Sequence, residues 1–247
     1  MAMTASSPIA RPAPLSFRPL RALRLFLAVL REPERTDLVY AFFDAMGGDD
    51  GPAHLAALRA TPSGRRLLAE RSSLLERISD PLLSALPEST LGGAYARAMR
   101  GRGFAPDGLL GYRARSEGAQ LGGAEERWLS DRINVSHDLW HVLTGYGTDP
   151  LGEAALLAFS QAQIPNRGFV VLLLGAVLKG PKSWDLAWPR DLWRAYRRGR
   201  RARLLTAAPL EDLLERPLAQ VRRELRVGAP EDWHPGGVRA GRLEDRA

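Results

Sequence analysis

His137 and His141 sit four residues apart in the stretch HDLWH, and eleven residues separate His141 from Glu153 in LGEAAL. At 3.6 residues per turn the two imidazoles share one face of a helix. Asp138 lies about 100° round from His137 and about 60° from His141, so three donors line one edge. Imidazole nitrogens and carboxylate oxygens together make a shell suited to a divalent metal: zinc, iron(II) or manganese. The chain has no cysteine, which excludes thiolate metal sites, iron–sulfur clusters, disulfides and thiol nucleophiles.

Glu153 joins this set only if the chain folds back on itself. Gly145 stands where a helix C-cap glycine belongs, and Thr148-Asp149-Pro150 reads as an N-cap followed by proline at the first helical position. A hairpin of two antiparallel helices then brings His141, three residues before the turn, to the depth of Glu153, three residues after Pro150. One carboxylate could instead orient a histidine or act as a base, leaving a coordination position open for water or substrate. An isolated HxxxH pair is an ordinary feature of helix surfaces and cores. Acids at matched depth add to it, because four polar groups buried without a partner are costly. Trp140, Val142 and Leu143 read as core packing.

The elements that must position this hairpin are also helical. Leu20, Leu23, Phe26, Leu27 and Leu30 recur at three- and four-residue spacing opposite Arg18, Arg21 and Arg24, up to Pro33. Further helices are expected at 34–46, 52–60, 62–69, 74–86, 91–102, 125–144, 150–162, 191–205 and 210–225, with 169–178 as a short buried one. The alternation expected of strands is absent from the N-terminal half. The expectation is an all-α fold: one multi-helical domain of eight to ten helices over residues 17–228, between a disordered tail (1–16) and a flexible C-terminal tail (229–247) in which His234 has no role.

The net charge of +7 is concentrated: Arg190 to Arg203 holds seven arginines against Asp191 alone. Arginines interleaved with Leu192, Trp193 and Tyr196 have the composition of a helix lying on an anionic membrane surface. Trp193, Arg194, Arg197, Arg198, Arg200 and Arg201 are the expected contacts, with Trp184 and Trp188 near the same interface. A solvated basic face is the plainer reading, and nucleic acid is the least favoured partner. The longest apolar run, Phe169 to Leu178, spans ten residues, where crossing hydrocarbon takes roughly 20. The expected location is cytoplasmic, peripheral on the inner membrane surface. An acid-free, arginine-bearing stretch before Glu32 leaves organelle import as the minor alternative.

HDxxH, eleven residues and then Glu is similar to the signature of the coenzyme Q biosynthesis protein four family. The flanks HDLWHVLTG and LGEAAL resemble that family too, as do LPESTLGGAYARAM (Leu86 to Met99), GFAPD (Gly103 to Asp107) and, more weakly, residues 18–46 and 210–230. The resemblance implies an all-helical, membrane-peripheral homo-oligomer that binds polyprenyl lipids, with His137, Asp138, His141 and Glu153 as metal ligands. It also implies oxidative decarboxylation in ubiquinone synthesis, replacing the carboxylate at ring carbon 1 of a polyprenylated hydroxybenzoate-derived intermediate with a hydroxyl. The alternative is a non-catalytic scaffold presenting polyprenyl quinone intermediates to other quinone-biosynthesis enzymes, the isoprenoid tail lying along 154–159 and 169–178. The family pattern of paired aspartates and a longer arginine-bearing stretch is altered here. Arg132 matches one expected arginine and Asn134 replaces the other, which bears on substrate identity rather than on the metal site. HD-type phosphohydrolases need a separate upstream histidine; only His54 is available, and it reads as first-turn packing.

Overall fold

Proline and glycine punctuate this chain so closely that most of its helices are short. The computed structural model describes residues 13–101, 103, 105–179 and 187–234. These form α1 (Pro19–Arg31), α2 (Thr36–Met46), α3 (Gly51–Arg59), α4 (Pro62–Glu70), α5 (Leu74–Ile78), α6 (Leu91–Arg100), α7 (Gly108–Arg115), α8 (Ala124–Thr144), α9 (Pro150–Gln163), α10 (Arg167–Leu178), α11 (Ala187–Arg201), α12 (Leu210–Leu213), α13 (Leu218–Glu224) and α14 (Pro230–Trp233). Three 3₁₀ turns join them, and the described residues form no strand beyond two isolated bridges. The fold is all-α and a single domain.

The fourteen helices among the described residues exceed the eight to ten expected, because proline divides one expected helix in two and α7 and α14 add to the set. Pro81 ends the 74–86 helix, leaving α5 and a 3₁₀ turn at Pro81–Ala85. Pro217 splits 210–225 into α12 and α13. Helix α7, which holds Gly108 and Gly111, carries too weak an apolar pattern to be expected. The expected tail is also shorter than read: residues 230–233 are helical and His234 is buried. Residues 1–12 and 235–247 of the two expected tails, and Trp184, lie outside the described residues.

The long helix α8 runs through the main core. Leu139, Trp140 and Leu143 from α8 meet Tyr95 of α6, Leu156 and Phe159 of α9, and Leu192 and Ala195 of α11. Trp140, Val142 and Leu143 are therefore core residues, as their spacing suggests. Helix α10 departs from expectation. Its Gly168 and Gly175 are buried, whereas Val170, Leu174, Val177 and Leu178 are exposed.

Candidate metal centre

The end of α8 is held by an unusual number of partners. Gly145 adopts the left-handed conformation (φ 72°) that lets its N–H return to the His141 carbonyl at 2.7 Å. The next three carbonyls are taken by guanidiniums: Arg222 donates to Val142 (3.0 Å) and Leu143 (2.9 Å), and Arg198 to Thr144 (2.7 Å). Cations here also favour the negative end of the helix dipole. Across the turn, Asp149 accepts from the N–H groups of Leu151 (3.1 Å) and Gly152 (3.2 Å), with Pro150 opening α9. A side chain at Gly152 would come within 2.2 Å of the Gly147 carbonyl, so the tight turn requires glycine there. Glu153 follows at once.

This hairpin brings the four expected side chains together. His137 and His141 stand 4.7 Å apart between ring centroids, edge to face. One donor atom each from His137, Asp138 and His141 lies within 4.8 Å of the others, a group able to hold a metal ion. Glu153 approaches both rings from α9, its Oε1 3.2 Å from His141 Nε2 and its Oε2 3.8 Å from His137 Nε2. His141 is buried, while Glu153 is partly exposed.

The outer nitrogens fix the tautomers. His141 Nδ1 lies 3.0 Å from the Tyr146 carbonyl oxygen, which can only accept, so Nδ1 carries the proton. His137 Nδ1 lies 3.3 Å from Asp138 Oδ1 and donates likewise. Both Nε2 lone pairs therefore turn toward Glu153. His141 Nε2 is buried and has no hydrogen-bond partner. An acceptor nitrogen facing an acceptor oxygen at 3.2 Å requires a proton or a cation between them, and this donor set suits a divalent cation. Burial alone pushes the His137 pKa down, but the hydrogen bond to Asp138 and the charges of Glu153 and Asp138 outweigh it and raise it. Burial pushes Asp138 up, and the hydrogen bond and charge of His137 with the charge of His141 bring it below the usual carboxylate range.

The site opens on a cavity of ≈1260 Å³ whose lining includes His137, Asp138 and Glu153. Much of its wall is apolar, with Val39, Phe43, Ile133, Leu156, Leu157 and Leu172 among the lining residues. Ala154, Leu156 and Leu157 of the 154–159 stretch line it, as do Phe169, Leu172 and Ala176 of α10; Ala155 and Phe159 are fully buried core. One turn before the imidazoles, Asn134 Oδ1 accepts from the Tyr40 hydroxyl, whose pKa burial pushes up to about 12. Arg132 is a structural tie: buried, it pairs with Glu211 and donates to the Ala208 carbonyl at 2.7 Å. His54 also lines the cavity and contacts the Pro165 carbonyl at 3.0 Å, apart from the metal group.

The membrane-contact expectation for α11 needs correction. Arg198 is fully buried, donating to the carbonyls of Thr144, Val227 (2.9 Å) and Gly228 (3.0 Å), so it cannot touch a lipid surface. Trp188 and Leu192 are buried as well. Trp193, Arg194, Arg197, Arg200 and Arg201 are exposed. The sequence also gave no weight to a buried chain behind the site. His234 contacts the Tyr146 hydroxyl at 3.0 Å through Nε2 and Asp191 at 3.4 Å through Nδ1, and Tyr146 is the residue whose carbonyl holds His141.

Fold and site together define an all-helical protein whose apolar cavity ends on a cluster of imidazoles and carboxylates. The model of the family described as coenzyme Q (ubiquinone) biosynthesis protein Coq4 matches residues 19–231, and the chain belongs to that family. It is 31% identical over 230 residues to a mitochondrial ubiquinone biosynthesis protein of Podospora anserina, covering 89% of this chain and 72% of that one. A mitochondrial homologue from Danio rerio is also 31% identical, over 83% of this chain and 74% of its own. A crystal structure from Nostoc punctiforme, described as of a ubiquinone biosynthesis protein, superposes with a TM-score of 0.61 at 25% identity. It covers 87% of this chain and all of that one. No helix among the described residues is long and apolar enough to cross a membrane.

Proposed function

We propose that the chain acts in ubiquinone biosynthesis as a metal-dependent enzyme. In this reading it carries out the oxidative decarboxylation at ring carbon 1 of a polyprenylated hydroxybenzoate-derived intermediate. His137, Asp138, His141 and Glu153 would hold the metal, zinc or iron(II). The observation carrying this reading is the buried Nε2 of His141, which has no hydrogen-bond partner and faces the Glu153 carboxylate at 3.2 Å beside an apolar cavity. When bound there, a divalent cation would supply Lewis-acid stabilisation of negative charge on a ring carboxylate or phenolic oxygen.

The chain's own residues supply the rest. Leu156, Leu157, Phe169 and Leu172 offer apolar surface to an isoprenoid tail, which orients the ring toward α8. Tyr40 and Asn134, one turn from His137, offer a hydroxyl and an amide to polar ring substituents. The Tyr146 carbonyl holds His141 in one tautomer and one rotation. The exchange releases the ring carboxylate as carbon dioxide and takes the hydroxyl oxygen either from water, with two electrons passing to an acceptor, or from molecular oxygen, with two electrons from a reductant and the second oxygen atom leaving as water. The chain's placement is peripheral to a membrane, mitochondrial in organisms that have that compartment.

Cells relying on His141→Ala or Glu153→Ala variants should accumulate the ring-carboxylated intermediate and lose quinone; unaltered quinone in both would refute the reading. Purified protein that binds the lipid tightly yet converts nothing, even with metal and oxidant, would favour the scaffold role.

A further inference from the structure

Of the ten large apolar side chains left exposed among the described residues, eight belong to α1 with its entry and to α10, a concentration that scattered surface leucines would not produce. Phe17 (56% exposed) leads into Leu20 (73%), Leu23 and Leu27, which recur at three- and four-residue spacing along α1. On α10, Val170, Leu174, Val177 and Leu178 (72%) repeat the pattern. The two helices touch: Phe26 and Leu30 lie against Gly175, and Lys179 Nζ donates to the Leu30 carbonyl.

The charged residues that α1 and α10 themselves carry are all basic. From Phe17 to Arg31 there are four arginines and no acid, and Arg167 to Lys179 holds two cations and no acid. Arg18 and Arg21 are engaged by Glu117 at 2.6 Å each. Arg24 and Arg31 are exposed and fall about 40° and 20° round from Leu20, beside the leucine stripe.

We propose that the paired outer faces of α1 and α10 dock this protein on an anionic lipid bilayer, the leucines entering the acyl boundary and Arg24 and Arg31 meeting lipid phosphates. A second copy of the chain fits less well, because an isologous contact would set like-charged arginines against each other around the apolar stripe. Continuity points the same way. Leu30 and Arg31 of α1 and Phe169, Leu172, Ala176 and Lys179 at α10 also line the cavity that carries His137 and Glu153, so an apolar ligand dissolved in the bilayer enters from the docked face. The proposal extends the lipid reading of the cavity. Binding to vesicles needs neither metal nor substrate and can fail while that reading stands.

The test is co-sedimentation of the full chain with vesicles of phosphatidylcholine alone and of phosphatidylcholine with phosphatidylserine. The wild type should bind the mixed vesicles. L20S/L23S/L27S and, separately, L174S/L178S should weaken that binding roughly tenfold or more, with circular dichroism unchanged because each side chain is exposed. R24Q/R31Q should weaken it roughly fivefold per charge on mixed vesicles only. R197Q/R200Q/R201Q on α11 should bind as the wild type does. Serine variants that bind like the wild type, a wild type that binds neither vesicle, or loss confined to the α11 variant would overturn the proposal. Serine variants that turn a dimer into a monomer without altering vesicle binding would assign the face to a second copy instead.

Discussion

The Nδ1 of His141 lies 3.0 Å from the carbonyl oxygen of Tyr146, so the imidazole deepest in the site takes its orientation from the residue just past its own helix. Tyr146 is anchored in turn: its hydroxyl meets His234, and the Arg198 guanidinium lies 5.2 Å from its ring centroid. His234 thus supports the candidate metal centre through Tyr146.

His234 gives this support a pH signature. Burial, the leading cause, with the nearby charges of Arg198 and Arg194, lowers its pKa below the ordinary 6.5 despite Asp191. In the window between that depressed value and 6.5 the unfolded chain binds a proton that the native chain refuses. Stability is therefore fully present above about pH 6.5 and falls as pH drops through the folded value. Urea unfolding of the wild type and His234→Gln on both sides of the window should show a shallower fall in the variant. Equal slopes would remove His234 from the account.

Arg198→Met should be destabilising by about 2–4 kcal/mol, because it leaves two buried carbonyls, at Thr144 and Val227, and the partly buried one of Gly228 without this donor. In a domain of this size the thermal midpoint should drop roughly 5–10 °C. Arg197→Met and Arg200→Met, at exposed positions of the same helix, should stay within about 0.5 kcal/mol of the wild type. Scanning calorimetry of the three variants decides it; equal midpoints would mean that Arg198 does not staple the end of α8.

At Gly152, a single methyl should disturb the site without touching a proposed ligand. The added Cβ would come 2.2 Å from the Gly147 carbonyl, so the turn must open and carry Glu153 with it. Gly152→Ala should cost about 1–3 kcal/mol and weaken metal binding, measured by calorimetric titration with Zn²⁺. An unchanged affinity would show that Glu153 does not depend on this turn.

The hairpin was legible in the sequence because its determinants are local: Gly145, Asp149 and Pro150 act within a turn of themselves, and helical periodicity sets the rest. The support behind it was not, because Tyr146, Asp191, Arg198 and His234 meet only through tertiary folding. Composition misled on α11, whose six arginines look like one membrane-facing surface. A signal was present all the same: Leu192, Ala195 and Arg198 follow three-residue spacing, which puts Arg198 on the buried side with them. The apolar run of α10 misled in the opposite sense, since ten apolar residues suggest a buried helix although Val170, Leu174, Val177 and Leu178 are exposed.

The measurement that bears most directly on the central claim is metal content of the purified protein. Wild type would be set beside His141→Ala, Glu153→Ala and the cavity-lining control Leu157→Ala, with elemental analysis followed by Zn²⁺ and Fe²⁺ titration under anaerobic conditions. The account predicts about one divalent ion per chain in wild type and Leu157→Ala, with affinity reduced at least tenfold in both ligand variants. Stoichiometric metal retained with equal affinity by His141→Ala and Glu153→Ala would contradict it.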